Sequence, residues 1–148
     1  MATRTFTLKE AQDLLPVLES LIRQAIDGRK RAEEIDAEFQ QVNSRIMMHG
    51  GISLDIVPLA RLRAERDKLN QTITDTLAEI AAMGVQIKDL DIGLLDFPCL
   101  VDGRVVLLCW KLGEEAITHW HGTDEGFAGR KPITDKIANA TRQRRKIN

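Results

Sequence analysis

His119 and His121 stand two residues apart near the end of the chain, downstream of Cys109 and of Asp96, a lone acid in an apolar run. Imidazole, thiolate and carboxylate are the ligand types that zinc takes from proteins. The same types could also make a nucleophilic cysteine, a histidine base and an aspartate that orients it. Glu114, beside Gly113, adds a carboxylate that could act as a general base if desolvation raised its pKa. Plainer roles compete with each of these. A cysteine in an apolar strand is usually inert core, and Glu114 could simply pair with Arg130. No CxxC, HxxxH or HExxH spacing supports a metal. No cofactor is therefore expected, and zinc is the one ion that the residue types would suit, at Asp96, Cys109, His119 and His121.

A second group could bind rather than react. Trp110 and Trp120 offer aromatic walls, or core packing with each indole N–H on a carbonyl. "GFAGR", Gly126–Arg130, could form a backbone nest for an anion with Arg130 as a clamp. It lacks the spacing of a phosphate loop. Its plain reading is a tight turn that lets Phe127 plug the sheet.

The elements that must position these residues are strands. Asp102-Gly103 lies between apolar runs and signals a two-residue hairpin. A type I′ turn there sets Val101 opposite Arg104, Cys99 opposite Val106, Phe97 opposite Leu108 and Asp96 opposite Cys109. Pro98 marks its strand as an edge or as bulged. The strand from Arg104 to Leu112 is nearly all apolar and should be central. "ITHWH", Ile117–His121, is the next strand. An odd loop, Gly113–Glu115, puts His119 opposite Cys109 and gathers Asp96, Cys109, His119 and His121 on one face. An even loop puts the histidines with Phe97, Cys99, Leu108 and Trp110.

The first half reads as helix. "TLKE" at Thr7–Glu10 is a capping box, with Phe6 and Ala11 in the staple positions. Pro16 predicts a kink or break near Leu15. Leu14, Leu18, Leu21, Ala25, Gly28, Ala32, Ile35, Phe39, Val42 and Ile46 form a heptad seam. "HGG" at His49–Gly51 ends that helix. A second seam runs Leu59, Leu62, Arg66, Leu69, Ile73, Thr76, Ile80, Met83, and Gly84 stops it. Two such helices form an antiparallel hairpin that buries its seams poorly alone, so a homodimer through the hairpins is expected, the alternative being packing along the sheet of the same chain.

The expected class is α+β. A long antiparallel helical hairpin spans 1–84. A three- to four-stranded antiparallel sheet with the Gly-Arg loop spans 85–133, and a basic tail spans 134–148, all as one structural unit. The bulk numbers agree with one soluble domain: 148 residues, 43% hydrophobic, 29% charged, net charge −1. Two cysteines imply no disulfide scaffold. No apolar run reaches membrane-span length, so the expected address is cytoplasmic, with no membrane partner. The segment from Arg130 onward carries seven Lys/Arg against one Asp. That asymmetry could serve RNA, DNA or an acidic partner, or merely solvate a frayed end.

"FTLKEAQDLLP", "GLLDFP" and "LCWKLGEEAITHWH" followed by "GFAGRKPI" resemble the bacterial family catalogued as domain of unknown function 2203. The resemblance covers the chain to about Ile133. It implies a small cytosolic protein and hands over no catalytic residues.

Three functions fit these residues. The leading one is a non-enzymatic dimeric binding protein. Its sheet would present Trp110, Glu114, Trp120, His121 and Arg130 to a protein or a small anionic ligand. The second is a metalloprotein or hydrolase-like enzyme using Asp96, Cys109, Glu114, His119 and His121. The third is a nucleic-acid-associated protein using the basic tail, for which the balanced net charge gives little support.

Overall fold

Thr7 Oγ1 accepts from the Glu10 amide at 3.1 Å, and Glu10 Oε1 accepts from the Thr7 amide at 2.9 Å. The capping box is formed, and helix α1 (Leu8–Met48) starts directly after it. Phe6 and Ala11, the staple pair, are both buried. Pro16 lies inside α1 and does not end it. An interior proline costs about 3 kcal/mol. Leu15 and Leu18 are buried on either side of it, and each such burial contributes about 1.5–3 kcal/mol, which offsets that cost.

The computed structural model describes residues 4–50 and 56–140. After α1 come helix α2 (Ile56–Ala82), strands β1 (Gln86–Asp89), β2 (Leu94–Val101), β3 (Arg104–Lys111), β4 (His119–Gly122) and β5 (Lys131–Pro132), and a short helix α3 (Asp135–Ala138). The class is α+β. The chain forms two compact units, residues 1–23 with 78–148, and residues 24–77. The division thus falls within the helices rather than at residue 84, because both outer helix segments carry core residues of the sheet-bearing unit.

In that unit the five strands form one antiparallel sheet in the order β1-β2-β3-β4-β5. The sequence suggests three or four strands. The fifth is only two residues long and carries no alternation by which to find it. Asp102 (φ 50°) and Gly103 (φ 77°) both have positive φ, as a type I′ turn requires. The β2–β3 register follows: Val101 opposite Arg104, Phe97 opposite Leu108, Asp96 opposite Cys109. Pro98 sits beyond the reach of β1, which pairs only with residues 94–96. There the Phe6 amide donates to the Pro98 carbonyl at 2.7 Å, and the Phe6 and Phe97 rings meet edge to face.

The helical stripe buried in this unit is Ala11, Leu15, Leu18 and Ile22, not Leu14 and Leu21. Leu14 and Leu21 are half-exposed. Gly93 shows how closely the parts approach. A Cβ there would stand 2.5 Å from the Leu112 Cβ and 3.3 Å from Ile22 Cγ2.

The second unit is the antiparallel helical hairpin. Gly28 faces Ile73, whose Cγ1 would be 3.4 Å from an added Cβ, an ordinary contact distance. Arg31 Nε donates to Glu65 at 2.6 Å and Arg66 Nη1 to Asp36 at 3.1 Å. Ala25, Ala32 and Ile35 are buried. Leu59, Leu62, Leu69 and Ile73 are only half-buried.

α3 buries Ile137. The rest of the basic tail, 141–148, lies outside the described residues. Among the described residues, no helix is long and apolar enough to cross a membrane.

Candidate functional site: a sealed Asp-Cys-His cluster

The loop after β3 is centred on Glu114, so it has the odd count. Cys109 pairs with His119, Leu108 with Trp120 and Leu107 with His121. Strand side chains alternate between faces, so Asp96, Cys109, His119 and His121 share one face. Trp110, opposite Leu95, and Trp120 share the other.

Of the four, three converge. Ligand atoms of Asp96, Cys109 and His121 all lie within 4.8 Å of one another. His119 does not join them. Its Nδ1 lies 2.8 Å from Thr118 Oγ1, and its backbone pairs with Pro132 near the sheet edge. His121 stands diagonally across from Cys109 and reaches inward instead. The relative exposures are 0% for Asp96, 0% for Cys109 and 3% for His121, so solvent does not reach the cluster.

His121 Nδ1 lies 2.9 Å from the Gly122 carbonyl oxygen. A carbonyl can only accept, so Nδ1 carries a proton. Nε2 lies 3.0 Å from Asp96 Oδ2. A bare imidazole lone pair against a carboxylate oxygen would repel. The contact therefore holds a proton or a cation. Asp96 Oδ1 is buried and has no hydrogen-bond partner among the described residues, an arrangement native interiors largely avoid.

Burial pushes the Cys109 thiol up to about 11, and the Asp96 charge adds to this, while Arg130 opposes it. The sulfur keeps its proton at neutral pH, so the cluster does not present an activated nucleophile. Cys99 is buried on the opposite face, and its thiol is also raised, by burial and then by Glu10.

The five residues expected to form one ligand surface do not share one. Trp110 is 1% exposed, and its Nε1 donates to the Glu114 carbonyl oxygen at 3.0 Å. His121 is sealed on the other face. Trp120 is half-buried, with the Lys131 ammonium 4.6 Å above its ring. Arg130 Nη2 donates to both Glu114 oxygens, at 3.0 and 3.1 Å, while its buried Nε has no hydrogen-bond partner among the described residues. Glu114 also caps the turn by accepting from the Lys111 amide at 2.7 Å. Glu114 and Trp110 border an open cleft of about 360 Å³ with Gln12, Leu15 and Glu19.

"GFAGR" folds as a 3-10 turn, Phe127–Gly129, leading into Arg130. Phe127 does not plug the sheet. It is 41% exposed and lies under the Arg130 guanidinium, 4.7 Å from its ring centre.

Glu125 was not legible as a site residue in the sequence. It accepts from the Gly122 amide at 2.9 Å and from Lys131, and these bonds, Lys131 first, hold its carboxyl below the usual range. It thereby fixes the loop beside His121. The only sequence signal was an acid placed just before the glycine-rich turn.

No curated protein and no solved structure matches the chain. The family model described as "Uncharacterized conserved protein (DUF2203)" matches residues 4–133, and the chain belongs to that family.

Proposed function

We propose that this protein is a non-enzymatic association module whose helical hairpin binds a second copy of itself. The observation that carries this reading is the apolar end of the hairpin. Met47 (77%), Met48 (79%), Ile56 (73%) and Val57 (57%) are exposed where α1 ends and α2 begins. The adjoining seam residues Leu59 and Leu62 are only half-covered. Large apolar side chains grouped at one end of a charged hairpin mark an association surface. A second hairpin supplies the same seam in return, as two-fold interfaces do. The sheet side supports a non-enzymatic role: the cysteine is protonated and sealed, and Arg130 is neutralised by Glu114. The cytoplasm, where both thiols stay reduced, is the setting this reading assumes.

Light scattering behind size exclusion tests it. The expected mass at micromolar concentration is twice the 16.6 kDa of one chain. M47E/M48E, at positions exposed in the single chain, should yield monomers that keep their helical signal. A monomeric wild type, or a dimer indifferent to M47E/M48E, would overturn the proposal.

A further inference from the structure

We propose that Asp96, Cys109 and His121 form a binding site for one divalent transition ion of the zinc class. Three observations point there. Carboxylate, thiol and imidazole ligand atoms from three adjacent strands lie within 4.8 Å of one another, and these are the donor types zinc prefers. Ligands at zinc's bond lengths stand about 3.3–3.7 Å apart in a tetrahedron, so side-chain adjustment suffices to close the site. Asp96 Oδ1 is buried and has no partner among the described residues; a cation would satisfy it. His121 Nδ1 faces the Gly122 carbonyl oxygen at 2.9 Å. This is the outer hydrogen bond that fixes a metal-binding histidine and leaves Nε2 to the ion.

Charge also balances. A dication with one carboxylate, one thiolate and a neutral imidazole is neutral overall, which suits a site with exposures of 0%, 0% and 3%. Binding displaces two protons to solvent: the cysteine S–H bond breaks and the sulfur lone pair goes to the ion, and the proton held between His121 Nε2 and Asp96 Oδ2 leaves, so that a neutral imidazole and a carboxylate face the ion. The thiolate excludes calcium and magnesium, which take oxygen ligands. No other described His, Cys, Asp or Glu joins the group, so a water would complete the tetrahedron. Because the cluster is sealed, the ion enters as the chain folds. The site is independent of the hairpin proposal, and either can fail alone.

The test is to refold the full chain from chelator-treated denaturant with Co²⁺ or with Zn²⁺. The expected result is one Co²⁺ per chain with a thiolate-to-cobalt absorption band in the near ultraviolet, and a higher Tm with Zn²⁺. The chain has two cysteines, so C99S should keep the band, which assigns it to Cys109. C109S and H121N should lose it. Refolded wild type without stoichiometric metal, a band lost in C99S, or a band kept in C109S would each overturn the proposal. The wild-type stoichiometry and the C99S spectrum decide the matter even if C109S and H121N do not fold. A metal-free result would leave a proton alone between His121 and Asp96.

Discussion

His121 Nε2 and Asp96 Oδ2 lie 3.0 Å apart in the interior of the sheet-bearing unit, with side-chain exposures of 4% and 0%. Such a contact is asymmetric in its consequences. Intact, it satisfies His121 Nε2 and Asp96 Oδ2. Cut on one side, it leaves the other stranded.

H121A in the chelated chain should therefore lose about 3–5 kcal/mol of stability, the range for breaking a buried pair. In a double-mutant cycle with D96N, the two losses should fall short of additive by more than about 0.5 kcal/mol. Urea midpoints read both. Additive losses would mean that the two side chains act separately.

Gly93 and Gly103 separate two effects of a side chain. Both have positive φ, 66° and 77°, so alanine strains the backbone similarly at each, by about 1–2 kcal/mol. An added Cβ at Gly103 meets nothing within 4 Å, while at Gly93 it meets the Leu112 Cβ at 2.5 Å. G93A should cost about 1–3 kcal/mol more than G103A. Equal melting shifts would remove the packing argument.

Thr7 and Glu10 cap α1 reciprocally. T7A should destabilise the chain by about 1 kcal/mol. The conservative T7S should recover most of it, because the hydroxyl is what accepts the amide proton.

Arg31 holds the Glu65 carboxyl below its usual value of 4.5, first through their hydrogen bond. A carboxyl lowered in the folded state stabilises the fold above its unfolded pKa. That contribution disappears as pH falls through the folded value. The stability gap between wild type and E65Q should be constant near neutrality, shrink below pH 4.5 and close in stronger acid. Added salt should narrow it, since the pair is partly exposed. A gap that widens in acid would contradict this sign.

Cys99 and Cys109 are buried, and both thiols are raised above their ordinary value. The folded, metal-free chain should react with a thiol reagent at pH 8 far more slowly than the unfolded chain, which should release two equivalents. Rapid reaction of either thiol in the folded chain would show that the sheet opens.

Sequence by itself determined what short-range geometry determines. The capping box needs only Thr7 and Glu10 at their spacing. The Asp102-Gly103 turn needs only two residues that accept positive φ, and it fixed Asp96 opposite Cys109. The α2 helix was legible because its apolar period repeats over many turns. Tertiary structure decided the rest. Leu14, Leu15, Leu18, Leu21 and Ile22 cover a wide arc of α1, and only its packing partner selects Leu15 and Ile22 for burial. His119 and His121 share a face by alternation alone. Which of them reaches Asp96 depends on strand pairing, on the sheet edge at Pro132 and on side-chain direction across three strands. Those relations join residues distant in the chain, and no spacing in the sequence encodes the distance that makes His121, and not His119, the partner of Asp96.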